Sequence, residues 1–214
     1  KNQHNMSGIF CTNDTMRAFL IQKGMDESRL FHLPIGYSPT NYTFANRSQR
    51  ISAKIKLGLP LDLPIIASFQ KDGNGWVEGN TPKLIKGPDL LLDALRKVYS
   101  KHEFFVLLSG PSRGFVLNGL KAENIPFKYL NIAPSNKMSE LYAAADFYLI
   151  SSRDEGGPKA VLEAVACGTP VISSDVGIAK EVLSNVNGCL VVKCGSADAL
   201  SAALSKCLSS FEGP

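Results

Sequence analysis

The segment Ser151–Pro170, with the sequence SSRDEGGPKAVLEAVACGTP, decides the fold class of this 214-residue chain. An apolar run from Asp146 to Ile150 precedes it and predicts a β-strand. Two glycines, at 156 and 157, then lead into a stretch that begins with proline and ends at Gly168, as a capped helix does. A strand, a glycine turn and a helix in this order predict the ligand-binding turn of an α/β sheet.

The predicted helix contains one carboxylate, Glu163, among residues that are otherwise apolar from Ala160 to Cys167. A helix that is apolar almost all the way round is expected to be buried. A buried polar group without a partner costs on the order of several kcal/mol. Glu163 therefore requires either an internal partner, which would make it a structural residue, or a ligand that completes it.

The composition is that of an ordinary globular protein, with 44% hydrophobic and 20% charged residues, which excludes disordered and fibrous classes. The net charge of +4 is modest and the lysines are dispersed, so we predict a local anion site and no nucleic-acid surface.

The five cysteines form no CxxC pair, which predicts reduced thiols in a cytoplasmic protein. No apolar run approaches the ~20 residues of a membrane span, so any membrane association would be peripheral and would belong only to a longer, full-length protein.

Strand-like and helix-like stretches alternate along the chain. This alternation predicts a doubly wound, mostly parallel Rossmann-like sheet with helices on both faces. The continuous apolar run from Pro64 to Phe69 is typical of a strand that is buried on both faces. A polar, turn-rich stretch predicts a boundary near residue 40, which divides the chain into residues 1–40 and 41–214.

Three turns that follow predicted strands contain glycine and a cation, which are Lys86, Arg113 and Lys159. Ligands of open parallel sheets bind beyond the carboxyl ends of the strands. Glycine allows a phosphate to approach the backbone, helix-start N–H groups bind anions, and the cations balance the charge. These turns predict a phosphate-bearing ligand, with a ligand-free doubly wound domain as the alternative. The chain has no GxGxxG or GxxxxGK[ST] motif to support a nicotinamide or P-loop site.

The connection from Gln70 to Lys86 is unusually long and contains Gly73, Gly75, Gly79 and the only tryptophan, Trp76. Such connections are either functional or surface insertions.

Glu155, before the predicted helix, and Glu163, within it, could accept hydrogen bonds from hydroxyl groups of a ligand. A ligand with a diphosphate between two hydroxylated rings would satisfy both glutamates and the helix start.

Glu155, Glu163 and the residues around them, EGGPKAVLEAVACGTPV, resemble the signature of family 4 retaining glycosyltransferases with the two-domain GT-B architecture. The resemblance extends to Lys86–Leu92, to Glu140–Asp146 and to Leu33–Gly36, which is similar to the crossing between the two domains. It implies a hexosyltransferase of polysaccharide or glycoconjugate biosynthesis that uses a nucleotide-diphosphate sugar, without a metal or another cofactor.

The resemblance also implies residue roles. Glu155 contacts the transferred sugar and Lys86 neutralises the diphosphate, and these two are the predicted catalytic residues. Glu163 binds the ribose hydroxyls. The predicted donor-binding residues are Glu163, Gly156, Gly157, Pro158, Lys159, Lys71 and Arg113.

The chain departs from the family pattern in two respects. The family has an arginine directly after the strand that ends near Phe69, where this chain has Gln70 and Lys71, so that either Lys71 or Arg113 is expected to replace it. In addition, residues 1–40 supply only a final βα unit and linker of an amino-terminal acceptor domain, whereas residues 41–214 form the donor-binding domain. The fragment is therefore expected to bind nucleotide sugar but to transfer it slowly or not at all. A nucleotide-sugar epimerase of related fold and a non-catalytic sugar-nucleotide sensor are the alternatives.

Overall fold

The computed structural model of the protein describes residues 7–75, 78–131, 137–211 and 213, in which strands and helices alternate. A small parallel sheet of β1 and β2 precedes a six-stranded sheet of β3 to β8. The strands are β1 (Ile9–Cys11), β2 (Leu30–His32), β3 (Ile65–Phe69), β4 (Phe105–Ser109), β5 (Phe127–Leu130), β6 (Phe147–Ile150), β7 (Val171–Ser174) and β8 (Leu190–Val192). The helices are α1 (Asp14–Gln22), α2 (Arg47–Lys56), α3 (Pro88–Tyr99), α4 (Gly114–Ala122), α5 (Met138–Ala144), α6 (Lys159–Ala166), α7 (Ala179–Leu183) and α8 (Ala197–Ser209).

The strand order of the large sheet is β5-β4-β3-β6-β7-β8, and all neighbouring strands are parallel. Within this sheet the chain first forms β3 and then adds β4 and β5 on one side of it. It next forms β6 on the other side of β3. The strand order therefore reverses between β3 and β6. Open α/β sheets bind ligands at such a switch point, beyond the carboxyl ends of the two strands.

Helices cover both faces of the large sheet, which confirms the predicted fold class. Ile65, Ala67 and Phe69 of β3 pack into one apolar cluster together with α5 and α6. Ile66, on the opposite face, packs into a second cluster with α3 and α8. Because β3 is buried on both faces, its sequence is apolar at every position except Ser68 and does not alternate between apolar and polar residues.

Two local predictions were wrong. Helix α6 is not buried all the way round, since Val161 and Ala164 are its fully buried residues and Glu163 is half-buried. The sequence also predicts that Asp14 caps a helix running to about Lys23, but Asn13 occupies the N-cap position of α1, and its side chain accepts a hydrogen bond from the Met16 N–H.

Some predicted features fall on residues that the structure does not describe. They are Trp76, residue 132 at the end of a strand that the sequence predicts over 127–132, and residues 135 and 136 at the start of a helix that it predicts over 135–144. None of the helices in the described ranges is both long and apolar enough to cross a membrane.

The two described ends of the long connection after β3 lie against each other, and we call residues 72–75 and 78–83 the excursion. Gly73 forms an antiparallel bridge with Pro82. The Lys83 N–H also donates to the Asp72 carbonyl, with 2.7 Å between nitrogen and oxygen. The two ends of the excursion therefore lie side by side, and the chain returns to the sheet edge close to the point where it left.

Candidate functional site

The turns that follow β3 and β6 enclose a cleft of about 340 Å³ at the switch point of the large sheet. Its charged lining consists of four lysines and one glutamate, and Gly157 and Pro158 of the turn before α6 complete one wall. These charged residues are Lys71, Lys83, Lys86, Lys159 and Glu155. The excess of positive charge and the uncapped start of α6 make the cleft suitable for an anion.

Lys86 and Glu155 meet in this cleft although 69 positions separate them in the sequence. Lys86 Nζ lies 2.5 Å from Glu155 Oε1, and Ser152 Oγ donates to the same oxygen at 2.8 Å. The side chains of Lys86 and Glu155 are 26% and 15% exposed, so a ligand in the cleft can reach both. The pairing orients the ammonium group and the carboxylate in advance of binding.

Backbone contacts fix the two turns relative to each other. Gly87 has a φ of 63°, and a Cβ atom at this position would collide with the Ser151 carbonyl oxygen. The Arg153 N–H donates to the Ile85 carbonyl at 2.8 Å. The Arg153 guanidinium is paired with Asp89 at 2.5 Å, and its hydrogen bonds lower the pKa of that carboxyl. The segment that carries Lys86 is thus attached to the segment that carries Glu155.

Glu163 has an internal partner that sequence reasoning missed. Tyr142 Oη donates to Glu163 Oε2 at 3.0 Å, and Tyr142 is 1% exposed. The ring of Tyr42 lies edge-on to Tyr142, with 6.0 Å between the ring centroids. Tyr142 belongs to the Glu140–Asp146 segment that carries the family resemblance, but its distance from Glu163 in the sequence gives no sign of the contact. Glu163 is anchored by this bond and still half-exposed.

Three buried tyrosines beside Glu163 predict a loss of stability in alkali. Burial raises the pKa of Tyr42 and of Tyr148 to about 12, with the negative charge of Glu163 as a further cause, and burial also raises the pKa of Tyr142. Tyrosine in an unfolded chain has a pKa of about 10. The folded state therefore keeps protons that the unfolded state loses, so this stabilisation is complete below pH ~10 and falls as the pH rises towards ~12.

This prediction can be checked by recording tyrosinate absorbance and circular dichroism during an alkaline titration. We expect part of the absorbance change to be delayed until the circular dichroism signal is lost. Tyr148→Phe should reduce the delayed part, and Tyr37→Phe, at an exposed position, should leave it unchanged. Complete ionisation of the tyrosines in a folded protein would contradict the expectation.

Arg113 and the turn before α4 do not line this cleft. The Arg113 side chain is buried, its Nη1 donates to the Ser68 carbonyl at 2.8 Å, and its Nη2 lies 3.1 Å from Asp72 Oδ2. The N–H groups of Gly114 and Phe115 donate to the carbonyls of residues 78 and 79 in the excursion. Residues of the excursion therefore bond to Arg113 and to the N–H groups at the start of α4, which the sequence had indicated as anion ligands.

The other predicted residues lie at the cleft or beside it. Lys71 and Lys159 line it, whereas the Gly156 carbonyl faces α1, where it accepts hydrogen bonds from Thr12 and Asn13. Sequence reasoning missed Lys83, because only the closure of the excursion brings it next to β3. Within residues 7–75, 78–131 and 137–211, no three His, Cys, Asp or Glu side chains cluster as a metal site would require.

Two solved structures of sugar-transferring enzymes superpose closely on this chain. Sucrose-phosphate synthase from Thermosynechococcus elongatus superposes with a TM-score of 0.79 at 20% identity, covering 98% of this chain and 51% of the synthase chain. Anabaena HepE, solved with UDP and glucose, superposes with a TM-score of 0.78 at 18% identity over 98% of this chain and 55% of its own. These similarities confirm that the large sheet has the fold of one GT-B half.

Sequence relatives indicate the same class. The D-inositol 3-phosphate glycosyltransferase of Xylanimonas cellulosilytica is 29% identical over 78% of this chain and 40% of its own length. The enzyme of the same name from Nocardia farcinica is 30% identical over 84% of this chain and 40% of its own. The chain thus spans less than half the length of these relatives. The family model for glycosyl transferases group 1 matches residues 81–212, more than half of the chain, and the protein therefore belongs to that glycosyltransferase family.

Proposed function

We propose that this chain is the donor-binding half of a family 4 retaining hexosyltransferase and that its cleft binds a nucleotide-diphosphate sugar. The observation that carries the proposal is the Lys86–Glu155 pair at the switch point of the sheet, in a cleft with three further lysines. A diphosphate needs this density of cations, and a carboxylate in the same place suits sugar hydroxyls. Among the similar proteins, HepE was solved with UDP-glucose, and a Corynebacterium glutamicum mannosyltransferase is named as GDP-mannose-dependent.

We assign each cleft residue to one part of the donor according to its position. Lys86, with Lys71 or Lys83 of the same cleft lining and the N–H groups at the start of α6, would neutralise the diphosphate and stabilise it as the leaving group. Glu163, anchored by Tyr142 and half-exposed, would accept hydrogen bonds from the ribose. Glu155 would contact the transferred sugar, and its bond to Lys86 would link sugar binding to diphosphate binding. Transfer with retention then requires no metal.

We further propose that residues 1–40 are the end of an amino-terminal acceptor domain and that residues 41–214 are the donor domain. Parallel sheets are normally covered on both faces, but Phe10 of β1 and Phe31 of β2 are 63% and 51% exposed. Such a two-stranded parallel sheet fits the edge of a larger sheet in a longer protein. The acceptor would bind there, so that residues 1–214 alone would transfer sugar slowly or not at all.

We also propose a cellular compartment for the protein from its cysteine content. Five cysteines without a CxxC pair suit a reducing, cytoplasmic compartment, where nucleotide sugars would be the substrates. Any peripheral attachment to a membrane would come from the full-length protein. The relatives are glycosyltransferases, which does not favour the epimerase or sensor alternatives.

Calorimetry on two glutamate variants tests the proposal, with UDP, GDP, UDP-glucose and GDP-mannose as probes. Glu163→Ala should weaken binding of the free nucleoside diphosphate by about tenfold, because a charge-assisted hydrogen bond contributes about 1.5–3 kcal/mol. Glu155→Ala should mainly reduce the preference among sugars. Glu103→Ala, at an exposed position beside the amino end of β4, is the matched control. Unchanged affinities in both cleft variants would show that the site is misplaced.

A further inference from the structure

The turn that carries Glu155 is bonded to the first βα unit through a single carbonyl group. Asn13 Nδ2 donates to the Gly156 oxygen at 2.5 Å, and Thr12 Oγ1 donates to the same oxygen at 2.7 Å. More than 140 positions separate the donors from their acceptor. Asn13 is 2% exposed. The two side chains therefore use both acceptor positions of one carbonyl oxygen.

These two bonds determine the orientation of the peptide group between Gly156 and Gly157. In a trans peptide the N–H points away from the carbonyl oxygen, on the opposite side of the same plane. Gly156 borders a second cavity on the side of α1, whereas Gly157 borders the lysine-lined cleft. In the described chain the Gly157 N–H donates to no other group. With its carbonyl fixed on the α1 side, the N–H of this peptide is directed away from the two donors.

We infer that Thr12 and Asn13 are positioning residues that orient the Gly157 N–H towards an anionic ligand, an inference that rests on the proposed function. Neither side chain reaches the cleft lining. Their effect on binding is exerted through the Gly156–Gly157 peptide. The first βα unit, which belongs to the other predicted domain, thereby prepares the donor turn for the diphosphate.

The surroundings allow this peptide little freedom to turn. A Cβ atom at Gly177 would lie 2.9 Å from the Gly157 nitrogen, which shows how closely the two backbones approach. The unit that carries the donors is itself attached to α7, since the Asp14 N–H donates to Glu181 Oε1 at 2.9 Å. The two donors to the Gly156 carbonyl and the close approach of the Gly177 backbone together favour a single orientation of the turn.

Asn13→Asp separates this role from ordinary helix capping. Asn13 Oδ1 accepts from the Met16 N–H at 2.7 Å, and aspartate retains that acceptor but loses the donor to Gly156. Thr12→Val removes the second donor with little change of shape. Asn46→Asp makes the same substitution at the N-cap of α2, where the side chain accepts from Gln49 N, and serves as the matched control.

Binding of UDP and UMP, or of GDP and GMP if the unmodified protein prefers guanine, is measured by calorimetry together with the melting temperature. We expect Asn13→Asp to weaken diphosphate binding by about tenfold and monophosphate binding by less. Thr12→Val should act in the same direction, and Asn46→Asp should leave both affinities unchanged. A merely structural role would weaken both nucleotides in the same ratio and lower the melting temperature of Asn13→Asp well below that of Asn46→Asp.

Unchanged diphosphate affinity in Asn13→Asp and Thr12→Val, or equal losses for the diphosphate and the monophosphate, would overturn the inference alone. Failure of the unmodified protein to bind any of the four nucleotides would overturn the proposed function and the inference with it. The two failures are thus distinguishable from the unmodified protein in the same experiment.

Discussion

Lys86→Met should weaken binding of UDP or GDP by about 100-fold. This effect is larger than those expected for Glu163→Ala and Asn13→Asp. A charge-assisted hydrogen bond contributes about 1.5–3 kcal/mol, and its loss alone would weaken binding by roughly 10- to 150-fold. The substitution also removes the cationic partner of Glu155, whose carboxylate lies 2.5 Å from the ammonium group and keeps the hydrogen bond from Ser152. An unpaired carboxylate beside the diphosphate repels it, which places the expected effect near the upper end of that range.

The Glu155 contribution can be separated with a double variant. Lys86→Met combined with Glu155→Gln removes both the cation and the repelling charge, so we expect it to bind the nucleotide more tightly than Lys86→Met alone. Lys101→Met, at an exposed position before β4 and therefore at the opposite edge of the sheet, controls for the change in net charge. Calorimetry at fixed salt measures all three variants. A Lys86→Met protein that binds as tightly as the Lys101→Met protein would exclude Lys86 from the site.

The sequence was sufficient to predict the fold and the two turns at the switch point. Continuous apolar runs such as the one ending at Phe69 alternate with capped helical stretches, and this pattern has few solutions other than a doubly wound sheet. The carboxyl ends of parallel strands meet at one edge, so residues 86 and 155 could be expected near each other without a structure. These predictions depend on the local pattern of short segments and on the general rule that parallel strands end at the same edge of a sheet.

Arg113 shows why the rest could not be predicted in this way. A cation between glycines after a strand has the same sequence pattern whether it faces solvent or is buried. Only the fold of the excursion shows that Arg113 pairs with Asp72, where burial raises the pKa of that carboxyl. Lys83 and the Asn13 donor to Gly156 also depend on contacts between distant segments. Periodicity carries no information about such contacts.

Lys54→Met should lower the free energy of unfolding by about 3–5 kcal/mol, the cost of removing one partner from a buried ion pair. Lys54 Nζ lies 2.7 Å from Asp146 Oδ2, and the two side chains are 0% and 3% exposed. The same carboxylate oxygen accepts from the Ile65 N–H at 2.8 Å. Asp146 thus connects α2 to the first residue of β3 at the start of β6. Methionine has nearly the length of lysine, so the main change is the loss of the nearer cation. Asp146 keeps Arg50, whose Nη2 lies 3.5 Å from its other oxygen, so the expected cost lies at the lower end of this range.

Urea denaturation of three variants checks this expectation. Lys56→Met, in the same helix, removes an exposed pair with Glu140 in which the lysine side chain is 70% exposed, and it should cost less than about 1 kcal/mol. Adding Asp146→Asn to Lys54→Met should restore part of the loss, because a neutral amide oxygen can still accept from Ile65. A loss for Lys54→Met no greater than that for Lys56→Met would show that water reaches Asp146. Neither Lys54 nor Asp146 lines the cleft. The folded fraction of each variant should therefore bind nucleotide as the unmodified protein does. This result would separate the effect of Lys54 on stability from the effect of Lys86 on binding.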